Sequence, residues 1–455
     1  MSIKESNRIF CAGIGGIGVS GLARLFVAMG KQVAGSDLKE SAITKDLESL
    51  GVKILIGQNV PDNLDADLVV YSPAVPQSEL ATIQISKLSH GEAIGELMHS
   101  KYGIGVTGTN GKSTSTAMLG LILEKANLDP TVLIGSNLSP KNGSDKFKAN
   151  ARLGQSKYFV AESDEYARKM LQNKPEMIVI TNIAEDHLDV YKNLADIMAA
   201  FSQYIDSLPT EGILIYNADD KNTVELGRAA KTHKYTFGID HYADLQAVNR
   251  KQEAGKQTFD LHLNDEMIGN IMLKLPGKFN VSNALASTLA ALKLGVKFDD
   301  IKFALENFAG IWRRFEVVGA LEGKPVISDY AHHPDAVSGT IAAAREFFPG
   351  KKILVVFQPH QRNRTKALFG EFVQSLIPAD ALILPEIFDV AGREHGENIS
   401  SKDLVEELKK QKEEAEYAEN LDKASELIKS KLKDFDVVLC MGAGDIDVMA
   451  RKLVS

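Results

Sequence analysis

The run Gly108-Thr109-Asn110-Gly111-Lys112-Ser113-Thr114 constrains this chain more than any other feature. It follows a β-branched run, Gly103 to Gly108, and precedes a helical pattern from about Ser113 to Ala126. A glycine loop between strand and helix can turn its backbone N–H groups onto phosphate oxygens. Lys112 then reaches the β- and γ-phosphates, and the Ser113 hydroxyl can ligate Mg²⁺. A full-length P-loop has glycine where Val106 stands, so this is the shorter G-T-x-G-K-S-T form. Strand, loop and helix in that order imply a βαβ unit and a parallel sheet.

The alternation extends along the chain. Arg8–Gly13, Gln32–Asp37 and Leu68–Ser72 read as strands, with a helix from Val19 to Met29. After the phosphate loop come Tyr158–Glu162, Met177–Thr181 and Gly212–Tyr216. The stretch from Tyr235 to Leu275 alternates more, with turn signals at Gly255 and Asn264-Asp265, and is expected to add antiparallel strands. Pro276-Gly277 then precedes a helix from about Asn280 to Leu294. A third start, Lys352–Phe357, is followed by Ala381–Leu384 and Val437–Cys440, with an amphipathic helix over Ser401–Gln411. The mixed-charge run from Lys409 to Glu416 reads as a solvated helix face. At 455 residues the chain exceeds one ordinary domain. The expected division is 1–101, 102–310 and 311–455: a Rossmann-like domain, a central P-loop ATPase-like domain on a mixed sheet, and a second Rossmann-like domain.

Composition excludes several classes. With 44% hydrophobic and 25% charged residues, the chain is neither disordered nor collagenous nor a coiled coil. A net charge of -8 argues against broad nucleic-acid or anionic-membrane binding. No apolar run reaches the ~18 residues needed to span a membrane, and the first residues lack a signal peptide's apolar core. Cys11 and Cys440 sit in apolar runs without metal-ligand partners, which suits buried thiols in a reducing cytoplasm.

Three further groups carry chemistry. Gly13-Ile14-Gly15-Gly16-Ile17-Gly18 is a G-x-G-x-x-G between strand and helix, suited to a diphosphate at a helix N-terminus. Asp37, nineteen residues beyond Gly18, is placed to bind a ribose hydroxyl. On its own this pattern suggests an NAD-dependent dehydrogenase, which would leave the phosphate loop unexplained. Glu162-Ser163-Asp164-Glu165 and Asp186-His187-Leu188-Asp189 follow strands, where ligands for a phosphate-bound cation belong. Finally, Trp312–Glu316, Asp329–Pro334 and Gln358–Thr365 gather arginines, histidines and a tyrosine suited to anionic oxygens. No closed zinc set accompanies His332 and His333.

In this order the motifs resemble the Mur ligases, ATP-dependent amide-bond formers of peptidoglycan precursor synthesis. The anchors are GIGGIGVSGLA, GSD, YSPAVP, TGTNGKST, AESDE, TNIAEDHLDVY, PGKFNVSNALA, GIWRRFE, DYAHHP, FQPHQRNRT and MGAGDI, spanning nearly the whole chain. Within the family, the pattern fits attachment of L-alanine to UDP-N-acetylmuramate; attachment of a ready-made tripeptide to the same sugar is the alternative. The resemblance implies a first domain for the UDP-sugar, using Gly13, Gly15, Gly16, Gly18, Ser36, Asp37 and Ser72. It implies ATP and Mg²⁺ in the second, on Gly108, Thr109, Asn110, Gly111, Lys112, Ser113 and Thr114. Glu162 and His187 would hold a second metal, Asn283 would lie near the adenine, and Arg314 and Asp329 would touch the nucleotide. Tyr330, His332, His360 and Arg364 match the site where alanine meets the muramoyl carboxylate. The chain departs from the family at Gln361 and His90, both commonly arginine, and Arg362 is the nearby substitute for Gln361. Oligomeric state is not legible.

Overall fold

A computed structural model describes residues 1–57, 60–61, 64–144, 146–187, 190–253, 255–389, 398–411 and 414–455. Leu188 and Asp189 of the DHLD string, and Lys412 and Glu413 of the charged run, lie outside the described residues.

The first sheet has five strands: β1 (Arg8–Ala12), β2 (Gln32–Asp37), β3 (Lys53–Ile56), β4 (Leu68–Tyr71) and β5 (Ser86–Ser89). Their order is β3-β2-β1-β4-β5, and every pairing is parallel. Strand order reverses between β1 and β4, which opens a crevice at their carboxyl ends. The glycine loop lies there and leads into the Ile17–Ala28 helix. β1 is buried from Ile9 to Ala12 because helices cover both faces of the sheet, so its run is continuously apolar rather than alternating.

The second sheet has ten strands: β6 (Tyr102–Thr107), β7 (Thr131–Leu133), β8 (Ala151–Arg152), β9 (Tyr158–Glu162), β10 (Met177–Ile180), β11 (Ile213–Asn217), β12 (His233–Gly238), β13 (Leu245–Glu253), β14 (Lys256–Leu263) and β15 (Glu266–Leu273). Their order is β15-β14-β13-β12-β11-β10-β6-β9-β7-β8. β6 therefore stands between β9 and β10, both parallel to it, and the phosphate loop leaves its carboxyl end. β12 pairs β11 in parallel, and β13 pairs β12 in parallel over Phe237 and Gly238, where antiparallel pairing was expected; β13, β14 and β15 are sheet neighbours joined by links too short for a parallel crossover, so the expected antiparallel strands are formed there. Alternation reports one solvated face and carries no strand direction.

The third sheet comprises β16 (Glu316–Leu321), β17 (Lys324–Asp329), β18 (Ile353–Phe357), β19 (Ala381–Pro385), β20 (Ala415–Ala418) and β21 (Val437–Met441), in the order β16-β17-β21-β18-β19-β20. Only the β16–β17 pair is antiparallel. The last strand in sequence lies at the centre, so β17, β21 and β18 present their carboxyl ends side by side. Both thiols are buried in such central strands, where desolvation pushes each up to about 12.

The described chain packs as two compact units. One contains residues 1–249, 259–271 and 281–309; the other contains 250–258, 272–280 and 310–455. Within the second unit, Arg250 and Gln252 bond the Glu346 carboxylate at 2.8 and 2.6 Å, and the Gln257 amide donates to Leu275 O at 2.7 Å.

Candidate functional site

The phosphate loop is built by backbone strain and by neighbouring strand ends. Gly108 and Gly111 have φ of +128° and +91°, conformations that side chains disfavour. Beside Gly111 there is no room for a Cβ, because the Asn283 amide oxygen fills the space. Ser115 donates to that oxygen at 3.3 Å. Asn283 thus stands against the phosphate loop.

The residues after β10 hold the loop's other side. Thr109 N donates to Asn182 O at 2.9 Å, and Asn110 N to the Asn182 amide oxygen at 3.0 Å. Thr181 Oγ1 and Asn182 Nδ2 donate to Asn110 O at 2.5 and 2.8 Å. Thr181 and Asn182 do this work unnoticed in the sequence, although the TNIAEDH string contains them.

Lys112 opens the Lys112–Lys125 helix and folds back over its own loop. Its Nζ donates to Gly108 O at 2.6 Å, to Thr109 O at 3.2 Å and to Glu165 Oε1 at 2.9 Å. Burial would lower its pKa, but Glu165, Asp164 and Glu162 outweigh that and hold the ammonium above the ordinary lysine value. Glu165 is the chief residue missed in the sequence, where ESDE shows four polar residues and no sign of which turns inward. His187 Nε2 lies 3.6 Å from the same carboxylate and 3.8 Å from Asp186. Burial opposes the charged imidazole, yet Glu165 and Asp186 raise its pKa. His187 adopts a φ of +56°, a strained value for a bulky side chain.

Glu162 ends β9 opposite Val106 of β6, and its carboxylate accepts from Gly135 N. Ser113 and Thr114 are buried in the helix's first turn. Hydroxyl and carboxylate donors, with an imidazole nearby, suit a hard divalent cation that retains phosphate oxygens and water. Among the described residues, no three His, Cys, Asp or Glu groups form a metal cluster. The protein offers a partial set, as Mg²⁺ sites at nucleotide phosphates commonly do.

In the first sheet, Gly13 N and Ile14 N donate to Ser36 O at 2.9 and 3.0 Å. A Cβ on Gly13 would lie 2.8 Å from Ser72 Cβ, which explains the glycine and puts β4 against the loop. Gly16 caps the following helix. Asp37 accepts from Gly15 N at 2.9 Å.

The second unit gathers the remaining motifs at the ends of β17, β21 and β18. Arg313 is buried, with φ +56°, and donates to Gly442 O and Gly444 O at 2.5 and 2.9 Å. It therefore ties the WRRF segment to the terminal MGAGD turn. Asp329 accepts from Phe315 N and Ala331 N at 2.7 and 2.8 Å and from Thr340 Oγ1 at 3.3 Å. Burial raises its pKa despite Arg314 and these donors. Asp329 thereby organises two loops from inside. Arg314 lies over the Tyr330 ring at 5.0 Å.

Tyr330, His332 and His360 form a chain of edge contacts, with ring centroids 5.0 and 5.7 Å apart. His332 Nδ1 lies 2.9 Å from Tyr330 O, which makes Nδ1 the protonated nitrogen and Nε2 the basic one. Arg364 approaches His360 Nδ1 at 3.4 Å, and Phe388 stacks on the same ring at 5.7 Å. Gln361 is buried at φ +68°, with its N–H on Phe388 O. Arg362 is bound to Asp389 at 2.9 Å and Glu386 at 3.4 Å, so it is committed elsewhere and does not stand in for an arginine at position 361.

The chain matches three family descriptions in order: the Mur ligase family catalytic domain over residues 8–102, the Mur ligase middle domain over 106–291, and the Mur ligase glutamate ligase domain over 313–444. It is 39% identical to the UDP-N-acetylmuramate–L-alanine ligase of Clostridium novyi, across 98% of this chain and 96% of the relative. The ligase of that name from Geotalea daltonii is 37% identical, across 98% and 97%. Among solved structures, the UDP-N-acetylmuramate-alanine ligase of Thermotoga maritima superposes with a TM-score of 0.82 at 29% identity, covering 99% and 98%. A murein peptide ligase from Psychrobacter arcticus gives 0.72 at 26%, covering 98% of both chains. Three α/β domains in this order, with full-length similarity on this scale, place the chain in the Mur ligase family.

Proposed function

We propose that the chain joins L-alanine to the carboxylate of UDP-N-acetylmuramate, at the expense of ATP, in peptidoglycan precursor synthesis. The observation that carries this reading is Lys112 at the head of a helix, on a loop braced by β10 and faced by the carboxylates after β9. Full-length similarity to curated ligases of that name supports the choice of substrates. Residues 1–101 take the UDP-sugar through the Gly13–Gly18 loop, Ser36, Asp37 and Ser72. Residues 102–310 take ATP through Gly108–Thr114, with Asn283 behind the loop. Residues 311–455 take the amino acid through Tyr330, His332, His360 and Arg364, with Arg314 available to the nucleotide and Asp329 setting the loops behind it.

One carboxylate oxygen of the sugar's lactyl group attacks the γ-phosphorus, and ADP leaves with the electrons of the broken P–O bond. The product is an acyl phosphate, a far better acyl donor than a bare carboxylate at neutral pH. Lys112 moves from Glu165 to the transferred phosphoryl group, and the loop N–H groups spread its charge. Ser113 and Glu162 would hold Mg²⁺, with Glu162 and His187 suited to a second ion; bound there, the metal neutralises phosphate charge. The neutral amine of alanine then attacks the acyl carbon, phosphate departs, and the basic Nε2 of His332 takes up the amine proton. Arg364, braced on His360, pairs with the amino acid carboxylate.

These substrates belong to the cytoplasm, and among the described residues no helix is long and apolar enough to cross a membrane. The test is phosphate release with UDP-N-acetylmuramate, ATP and Mg²⁺. L-alanine should support faster turnover than glycine or L-serine, and much faster turnover than an L-alanyl tripeptide. Preference for the tripeptide would assign the chain to the reaction named for the murein peptide ligase structures.

A further inference from the structure

His90 opens the His90–His99 helix, which starts on a capping box between Ser89 and Glu92. Its Nε2 is buried against the Gly18 backbone and makes no hydrogen bond of good geometry. That nitrogen lies 2.6 Å from where a Cβ on Gly18 would stand. In this chain Gly18 is therefore glycine because an imidazole occupies the space. The next residue, Gly91, has no room for a Cβ against the Gln172 side chain, and Gly95 has none against the Gln172 backbone. The helix is thus pressed onto the 3₁₀ segment Tyr166–Gln172, where Ala167 and Arg168 take φ of +52° and +56°. In that segment Lys169 bonds Asp164 at 2.8 Å. Glu165 caps the same segment, and its carboxylate accepts from Lys112 Nζ at 2.9 Å.

We propose that His90 is a positioning residue that couples the sugar-nucleotide loop to the phosphate loop. Its ring fills the space beside the first turn of the Ile17–Ala28 helix, and the helix it opens is pressed onto the segment that Glu165 caps. The inference rests on the proposed reaction, which needs the sugar's carboxylate and the γ-phosphate of ATP held in one geometry. A ligand that draws in the Gly18 turn moves the imidazole and the helix it opens, and that helix moves the segment whose Glu165 holds Lys112. Reciprocal linkage then requires that each ligand alter the affinity for the other.

The test is calorimetric titration of UDP-N-acetylmuramate, with and without a non-hydrolysable ATP analogue and Mg²⁺. In the wild type the analogue should tighten the sugar nucleotide by about 5-fold or more, the lower end of measured couplings. In His90→Gln and His90→Ala that ratio should fall to near one, with each ligand's separate affinity close to wild type. In steady state the KM for each substrate should become independent of the other. Gly18→Ala, which displaces the ring but lies in the sugar-nucleotide loop, should lose the ratio and weaken that ligand as well; added to His90→Ala it should leave the ratio unchanged, because the new methyl enters vacated space. Variants that melt earlier yet keep the wild-type ratio would make His90 purely structural and overturn the proposal. A wild type that turns over without any coupling would overturn it too. A wild type that neither binds the sugar nucleotide nor turns over would instead sink the proposed function.

Discussion

Lys112 and Glu165 set the character of the phosphate site. The ammonium rests on two loop carbonyls and a carboxylate, so it is oriented before any phosphate arrives. Lys112→Ala should cut turnover by at least ~10²-fold, the scale seen when one preorganised donor is removed from a transition state. Affinity for the sugar nucleotide should hold, because its loop leaves a different sheet. Turnover within a few-fold of wild type would show that the loop is not catalytic. His90 gives a separate prediction in pH. Burial, reinforced by Lys169, lowers its pKa from 6.5 to about 4. Between those values the unfolded chain takes a proton that the folded chain refuses. Stability should therefore fall as pH drops from 6.5 to about 4 and level off below, by at most ~3 kcal/mol from this residue. Urea unfolding of His90→Gln should lack that part of the slope. A variant curve parallel to wild type over the window would contradict the buried neutral imidazole.

At the scale of elements, glycines divide into those that shape a site and those that merely turn the chain. Gly111 combines φ +91° with the Asn283 side chain where a Cβ would stand. Gly111→Ala should cost about 1–2 kcal/mol for the left-handed backbone alone. The displaced Asn283 should also raise the KM for ATP. Gly350, at φ +73° with nothing within 4 Å, is the control. Gly350→Asn should leave stability and kinetics nearly unchanged, since asparagine tolerates this conformation. Equal effects in the two variants, read by thermal unfolding and ATP kinetics, would mean that the packing beside Gly111 is irrelevant. Many strands were legible as apolar runs: Gln32–Asp37 and Tyr158–Glu162 coincide with β2 and β9. The short β7, β8 and β20 were not, because two to four residues carry too little periodicity to read.

For the whole molecule, the division into units falls between Ala309 and Gly310, and the chain also passes between them around residues 250–258 and 272–280. Gly310 has φ +83°, and Trp312, the only tryptophan, follows two residues later. The proposed chemistry uses Lys112 in one unit and Tyr330, His332 and Arg364 in the other, and must keep water from an acyl phosphate. Closure about the Ala309–Arg313 segment is therefore expected on binding both substrates. ATP analogue with the sugar nucleotide should shift Trp312 emission and reduce the radius of gyration, each ligand alone doing less. Unchanged emission with compaction would move the hinge elsewhere, and unchanged scattering would count against closure.

The motifs alone determined the fold class, because a glycine loop between strand and helix is compatible with few architectures. They also located the chemistry at strand ends, because phosphate, metal and carboxylate chemistry requires particular side-chain types at short spacing. Tertiary structure decided which polar residue faces which. Glu165, and not its neighbours, meets Lys112. Arg313 is buried and joins two segments 129 residues apart. Asp37 closes on Gly15, and Arg362 turns to Asp389. None of these pairings has a local signature, since each joins residues far apart in sequence that only the stacking of strands brings within hydrogen-bond reach.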